Sequence, residues 1–194
     1  MSNILNEDFE NIFLNTCSLN KIKNSRILIT GINGFLASYL IKFLIFLNKK
    51  KKFNIEIIGT TRNRKKAEKF YSEFFQDKKF KIYETDLLNK LKIKEDLNYV
   101  IHMASLASPK YYKSNPVDVL QPNVIGTLNL MNLVKKSKIK NFLFISTSGV
   151  YGFIEDKKRP NDESTFGTLD NTLPESIYLE SKRMAETICF AYKN

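Results

Sequence analysis

The feature that most constrains the fold is a regular alternation of short apolar runs with longer helical patterns, which begins at Arg26. This order is typical of βαβ units, in which crossovers join parallel strands. It predicts one α/β domain, a Rossmann-like doubly wound parallel sheet with helices on both faces, and leaves the short, mixed crossover after Asp86 unassigned. The predicted strands are Arg26–Thr30, Ile55–Thr60, Lys79–Glu84, Tyr99–Met103 and Phe142–Ser146, and the predicted helices are Gly34–Leu47, Arg64–Phe75, Pro116–Lys136 and Ser176–Tyr192.

The first 25 residues precede this pattern and form a separate segment. Phe9, Ile12 and Phe13 have the spacing of side chains on one helical face. We therefore expect residues 1–25 to be an N-terminal helical extension that packs on a domain of residues 26–194 and carries no chemistry.

The charge of the chain is strongly positive, with 31 Lys+Arg against 20 Asp+Glu and a formal net charge of +11. Such a balance raises nucleic acid, an anionic surface or a phosphorylated ligand as partners. The lysines are scattered, however, and the densest run, Lys49–Lys52, falls where a helix should end and where cations complement its dipole. We interpret the lysines as solvated faces and predict no nucleic-acid partner.

Cysteine usage and hydropathy favour the cytoplasm. Cys17 and Cys189 lie far apart without metal-ligand spacing, so neither a disulfide scaffold nor a metal site is predicted. The N-terminus lacks a basic segment followed by an apolar one, as a secretory signal requires. The most apolar stretch, Phe35–Leu47, is 13 residues long and contains Lys42, which is too short and too charged for a membrane span.

The segment Thr30–Ala37 follows a predicted strand and opens a predicted helix. Glycine at 31 permits a tight turn, glycine at 34 lets the backbone approach phosphates, and a small residue at 37 lets helix and strand pack closely. The helix N-terminus offers free N–H groups to an anion. This predicts a dinucleotide site, although a plain strand-to-helix turn could use the same glycines. The predicted cofactor contacts here are Gly31, Asn33, Gly34, Phe35 and Leu36.

Tyr178 and Lys182 stand four residues apart on a predicted helix, so the phenol and the ammonium project from one face. A free tyrosine has a pKa of about 10 and is a poor base at neutral pH. A neighbouring cation favours the phenolate, and we expect Lys182 to lower the pKa of Tyr178 and so make proton transfer feasible.

With these motifs the chain resembles the extended short-chain dehydrogenases/reductases over Arg26–Tyr192. The glycine segment reads as their T-G-x-x-G-F-x-[GA], and Tyr178–Lys182 as their Y-x-x-x-K. The resemblance implies that Thr147 supplies a catalytic hydroxyl, with Ser148 able to substitute, and that His102 is a positioned structural residue. It also implies that Asn123 organises the catalytic helix. The further cofactor contacts that it implies are Asp86, Leu87, Ala104, Ser105, Asn123, Tyr178 and Lys182.

The passage Ser105–Pro116 resembles the branch that contains UDP-glucuronate decarboxylases and dTDP-glucose dehydratases. The resemblance implies an NAD(P)-dependent epimerase/dehydratase that acts on a nucleotide sugar for polysaccharide synthesis. Tyr178 would take a sugar hydroxyl proton while hydride passes to the nicotinamide, and Lys182 would also hold the nicotinamide ribose. Related enzymes form homodimers through the helices that start near Pro116 and Ser176.

Three departures from the family pattern qualify this prediction. Ser148 and Gly149 replace the usual Asp-Glu pair, so epimerisation or simple oxidation–reduction fits better than dehydration. The second strand ends without an acid for the ribose of NAD, and Arg62 there favours NADP over NAD, unless Arg62 and Arg64 only begin a solvated helix. We also expect the substrate-binding C-terminal region to be missing, which leaves a non-catalytic NAD(P)-binding or interaction protein as the alternative.

Overall fold

The computed structural model describes residues 3–135, 137, 139–154 and 161–193. Its centre is a five-stranded sheet with the strand order β3-β2-β1-β4-β5. The β1–β2, β1–β4 and β2–β3 pairs are parallel. This confirms the predicted Rossmann-like parallel sheet. The strands are β1 (Arg26–Thr30), β2 (Glu56–Thr61), β3 (Phe80–Glu84), β4 (Tyr99–His102) and β5 (Asn141–Phe144).

Six α-helices occur in the described part of the chain. They are α1 (Asn3–Asn15), α2 (Phe35–Lys51), α3 (Arg64–Phe70), α4 (Lys110–Ser114), α5 (Pro116–Val134) and α6 (Pro174–Lys193). Three predicted boundaries lie outside the described residues. They are the end of the helix predicted over Pro116–Lys136, the start of the segment 1–25, and the end of the segment 26–194.

The predicted elements agree with the structure except in two places. The predicted helix over Arg64–Phe75 is wrong in its second half, because α3 stops before Tyr71 and a short 3-10 turn follows at Ser72–Phe74. Tyr71 leaves helical geometry with φ −109° and has a fully buried side chain, so tertiary packing overrides the local helical pattern. The short helix α4 was not predicted, and the crossover after Asp86, which the sequence left unassigned, contains no helix.

The chain divides into two compact units. The first comprises residues 1–86, 94–103 and 137–143, and the second comprises residues 87–93, 104–136 and 144–194. The first unit contains β1 to β4 with α1 to α3, and the second contains α4 to α6.

The core of the first unit is built from the apolar faces of β1, β2, α1 and α2. Phe9 of α1 is completely buried there and packs edge-on against Tyr39 with ring centroids 5.1 Å apart. The N-terminal helix therefore packs against α2 within the first unit. The lysine run also lies where expected, since Lys49, Lys50 and Lys51 form the last turn of α2.

Candidate active site

The glycine turn, residues 31–34, connects β1 to α2 within the first unit. Gly31 has φ 72°, a left-handed conformation that favours glycine. A Cβ added to Gly34 would lie 3.2 Å from the carbonyl oxygen of Gly31, which accepts a hydrogen bond from the Gly34 N–H at 2.9 Å. Both predicted glycine positions are thus required by the local backbone.

The turn is attached to the end of β2. The N–H groups of Gly31 and Ile32 both donate to the carbonyl oxygen of Thr60, at 3.1 and 3.3 Å. The side-chain amide of Asn33 donates to Thr61 Oγ1 at 2.7 Å and to the carbonyl oxygen of Asn63 at 3.1 Å. These bonds hold the turn against the segment that follows β2.

The N-terminus of α2 is suited to an anion. Gly34 is the N-cap and provides no side-chain cap, and the first turn contains no acidic residue. Phe35 and Leu36, the first two helical residues, are 83% and 60% exposed. Free N–H groups and the positive end of a helix dipole bind phosphate groups. The Asn33 Oδ1 atom is buried without a hydrogen-bond partner among the described residues, which is a second polar group available to a bound nucleotide. The turn therefore fits a dinucleotide pyrophosphate.

The two arginines after β2 have different environments. Arg64 begins α3, pairs with Glu68 at 2.7 Å and donates to the carbonyl oxygen of Ile82 at 3.0 Å. Arg62 is exposed and makes no ion pair with any described residue. Of the two, Arg62 is thus the one whose guanidinium is available to a ligand. Asp86, one of the predicted cofactor contacts, is half-buried after β3.

The second unit contains the predicted catalytic tyrosine on α6. Tyr178 is 9% exposed, and its ring stacks on that of Tyr112 with centroids 5.4 Å apart. Burial raises the pKa of Tyr178, while the nearby hydroxyl groups of Thr147 and then Ser105 lower it less strongly. The net shift is upward, so the expectation that a nearby cation lowers this pKa is wrong. Desolvation of the phenolate is the stronger effect.

Lys182 is one helical turn after Tyr178 and only 3% exposed. Its Nζ donates to the carbonyl oxygen of Ile145 at 2.7 Å and lies 4.5 Å from the Phe144 ring centroid. The distance from Nζ to the Tyr178 ring centroid is 5.8 Å. Burial lowers the pKa of Lys182 to about 8, against a smaller upward effect of Glu186. The ammonium is held by a backbone carbonyl while it remains near the phenol.

The segment after β5 contains the predicted catalytic hydroxyl. Thr147 caps the 3-10 turn Ser148–Tyr151 and accepts a hydrogen bond from the Gly149 N–H at 3.3 Å. Ser148 is exposed, so Thr147 is the hydroxyl that reaches Tyr178. The guanidinium of Arg183 holds this segment, since its Nε donates to the carbonyl oxygen of Val150 at 2.6 Å.

Asn123 connects α5 to the catalytic helix. It is completely buried and its Nδ2 donates to Ser181 Oγ at 2.9 Å, while Ser181 Oγ donates to the carbonyl oxygen of Tyr178 at 2.7 Å. Leu87 is buried, and its carbonyl oxygen accepts from Asn129 at 2.8 Å. Ala104, like Ser105, lies in this second unit and is half-buried.

Other residues of the two sites were not identified from the sequence. Tyr112 lies in the segment Ser105–Pro116 and Ser181 in the segment Tyr178–Lys182, but nothing in their spacing showed that they contact Tyr178. Tyr71, whose hydroxyl donates to the Ile32 carbonyl oxygen at 2.5 Å, carried no sequence signal. His102 was interpreted as structural. Its side chain is buried in the first unit, where its Nδ1 lies 2.8 Å from Thr30 Oγ1.

Comparison with known proteins gives one family. The model of the NAD dependent epimerase/dehydratase family matches residues 27–194. UDP-glucuronic acid decarboxylase 1 of Danio rerio is 34% identical over 174 residues, which are 90% of this chain and 39% of that protein. UDP-glucuronic acid decarboxylase 6 of Arabidopsis thaliana is 36% identical over 169 residues, 87% of this chain and 46% of that protein.

A solved structure agrees with this result. The UDP-glucuronic acid 4-epimerase of Bacillus cereus, in complex with UDP-glucuronic acid and NAD, superposes with a TM-score of 0.70 at 25% identity. The match covers 87% of this chain and 52% of that one. The chain therefore spans about half, or less, of the proteins that it matches.

The parallel sheet, the glycine turn and the Tyr178–Lys182 pair define a Rossmann-fold protein of the extended short-chain dehydrogenase/reductase type. The chain belongs to the NAD dependent epimerase/dehydratase family. Within the described residues, no helix combines the length and the apolar character needed to cross a membrane.

The buried ammonium of Lys182 predicts a specific pH dependence of stability. Its pKa is about 8 in the folded protein against a reference value of 10.5. Between these values the unfolded chain binds more protons, so the free energy of unfolding rises with pH. We expect the free energy of unfolding of wild type, minus that of Lys182→Met, to increase from pH 8 to pH 10.5 in urea titrations. Lys193→Met, at an exposed position of the same helix, should show a flat difference. A flat difference for Lys182→Met would contradict a buried ammonium.

Proposed function

We propose that the protein is the cofactor-binding and proton-transfer part of an NAD(P)-dependent enzyme that acts on a nucleotide sugar. The observation that carries this proposal is the position of Thr147 and Lys182 near the buried phenol of Tyr178. A phenol held by a hydroxyl, one helical turn from an ammonium, is equipped to exchange a proton with a sugar hydroxyl.

The groups of the second unit would divide the work as follows. Tyr178 exchanges a proton at its phenol oxygen, and the nearby hydroxyl of Thr147 favours the charged form of that oxygen. Lys182 supplies positive charge near the ring, and Asn123 and Ser181 hold the backbone of the catalytic helix. A bound nicotinamide would supply the hydride chemistry.

The second chemical step is constrained by the residue at 149. A Cβ added to Gly149 would lie 2.3 Å from a methyl carbon of Leu179, so an acidic side chain there requires Leu179 to move. No carboxylate occupies this position, and elimination lacks the acid/base group that dehydratases of the family place there. Epimerisation or simple oxidation–reduction therefore fits the site better than dehydration.

The proposed substrate is a UDP-linked sugar acid or a close relative. Curated relatives are UDP-glucuronic acid decarboxylases, and a structural neighbour was solved with UDP-glucuronic acid and NAD. We propose a cytoplasmic location, because both cysteines are free thiols, as is usual in a reducing compartment.

The test of the proposal is Tyr178→Phe. The variant keeps the ring and its stacking on Tyr112 but removes the acid/base oxygen, so we expect cofactor binding to persist and turnover to fall at least about 100-fold. Cofactor binding is measured by calorimetry with NAD⁺ and NADP⁺. Turnover is measured by chromatography of the UDP-linked sugar products formed from UDP-glucuronic acid, because epimerisation returns the hydride to the sugar and leaves no net change in the nicotinamide.

Tyr192→Phe is the matched control, because it removes an exposed phenol from the same helix. Equal turnover in Tyr178→Phe and wild type would refute the role of Tyr178. Wild-type protein that binds cofactor without turning over UDP-linked sugars would support the alternative of a non-catalytic NAD(P)-binding protein.

We propose that the cofactor is NAD or NADP with a slight preference for NADP, because Arg62 is exposed and unpaired in the described part of the chain whereas Arg64 is engaged. An arginine after the second strand can pair with a 2′-phosphate. We expect Arg62→Ala to weaken NADP⁺ binding about tenfold, with NAD⁺ binding unchanged. Lys65→Ala, an exposed neighbour on α3, should leave both affinities unchanged. Equal loss for both cofactors would contradict 2′-phosphate recognition.

We also propose a homodimer formed through α5 and α6. Four apolar side chains of α5 are 38–60% exposed and fall within an arc of about 140° at 100° per residue. They are Val117, Leu120, Ile125 and Leu128, and Met184 and Phe190 are exposed on α6.

The dimer is tested with Leu128→Glu, which places a charge in this face. We expect the mass measured by light scattering to change from dimer to monomer while the circular dichroism spectrum is retained. Leu14→Glu, at a 76% exposed position of α1, should remain dimeric. A monomeric wild type, or a dimeric Leu128→Glu variant, would contradict the proposed interface.

A further inference from the structure

We propose that Tyr71 is a positioning residue for the cofactor: its hydroxyl fixes the orientation of the peptide between Ile32 and Asn33 in the glycine turn. The inference rests on the proposed function in one respect, that the glycine turn binds the pyrophosphate. Tyr71 lies some forty residues after the turn, outside every motif recognised in the sequence.

The contact is short and completely enclosed. Tyr71 ends α3, is 0% exposed, and its hydroxyl donates to the Ile32 carbonyl oxygen at 2.5 Å. The ring is held edge-on by Phe70 and Phe80, with centroid distances of 5.3 and 5.1 Å. Burial raises the pKa of Tyr71 far above neutrality, so the hydroxyl remains protonated and remains a donor.

This contact also fixes the direction of the Asn33 N–H, because the two groups belong to one planar peptide. In a trans peptide the carbonyl oxygen and the following N–H point in opposite directions. Because Tyr71 binds the Ile32 oxygen on the buried side, the Asn33 N–H is directed away from the core. That N–H donates to no acceptor in the described part of the chain. Tyr71 thus presents a free backbone donor at the turn where the anion is proposed to bind.

The buried side chain of Ile32 also fixes the position of this peptide. Ile32 is 0% exposed, and a Cβ added to Gly59 of β2 would lie 2.9 Å from two of its carbon atoms. Glycine at 59 therefore makes room for Ile32 beneath the turn. With the side chain seated there, the remaining freedom of the segment is rotation of the Ile32–Asn33 peptide, and the Tyr71 hydroxyl restrains that rotation.

Removing the hydroxyl leaves the Ile32 oxygen without this partner in a buried place, which favours rotation of the peptide toward another donor. Tyr71→Phe keeps the ring, so the edge-on packing with Phe70 and Phe80 is retained. We expect the dissociation constants of both NAD⁺ and NADP⁺ to rise about tenfold, since a buried unpaired acceptor is costly. A loss common to both cofactors distinguishes this role from that of Arg62.

The matched control is Tyr99→Phe. Tyr99 also donates its hydroxyl to a backbone carbonyl oxygen, that of Lys21, at 3.0 Å in the same unit, but at the start of β4. Both variants lose one phenol–carbonyl hydrogen bond, so a purely structural role predicts similar effects on cofactor binding. We expect Tyr99→Phe to bind both cofactors as wild type does. Equal affinity of Tyr71→Phe and wild type would overturn the inference.

A second measurement needs no cofactor. Hydrogen exchange of the amides in residues 31–36 should be faster in Tyr71→Phe than in wild type or Tyr99→Phe, with the remaining sheet amides unchanged. If wild type binds neither cofactor, the proposed function fails, and the exchange rates still decide whether Tyr71 holds the turn. Unchanged exchange in Tyr71→Phe would overturn the positioning role.

Discussion

The attachment of the glycine turn to the end of β2 is the constraint on which the first unit depends. The parallel register pairs Thr30 with Thr60, so the chain leaving β1 meets a carbonyl oxygen at the same edge of the sheet. That oxygen accepts both N–H groups at the start of the turn, and the Asn33 amide extends the contact to the following segment. The backbone N–H groups of α2 are thereby presented in a fixed position, which a free loop could not provide. Binding an anion with pre-oriented donors avoids the entropy cost of ordering them.

Burial dominates the electrostatics of the second unit. Desolvation raises the pKa of Tyr178 and lowers that of Lys182, so each group is shifted toward its neutral form. Hydrogen bonding by Thr147 opposes the shift at the phenol, and the Ile145 carbonyl oxygen accepts a hydrogen bond from the amine. Perturbed pKa values of this kind, in a phenol and an amine one helical turn apart, are typical of groups at functional sites. The pair therefore consists of two partly desolvated groups, and the net shift of the Tyr178 pKa is set by burial.

Several elements could be predicted because they depend on local pattern. The β1 strand matched residue for residue, and the glycine turn followed from the need for a left-handed residue at 31. The helix predicted over Arg64–Phe75 failed at Tyr71 because a contact with a distant carbonyl oxygen decided the end of the helix. In the same way, Ser148 and Thr147 were both possible hydroxyls until burial separated them.

By itself, the sequence determined the type of fold, the order of its elements and the residue types of both sites, because periodicity, glycine positions and four-residue spacing are local properties of the chain. Only the tertiary structure decided the directions of the pKa shifts, the different environments of Arg62 and Arg64, and the contact of Tyr71 with the Ile32 carbonyl oxygen. Those depend on which groups are removed from water and which distant atoms they meet, and neither can be derived from spacing along the chain.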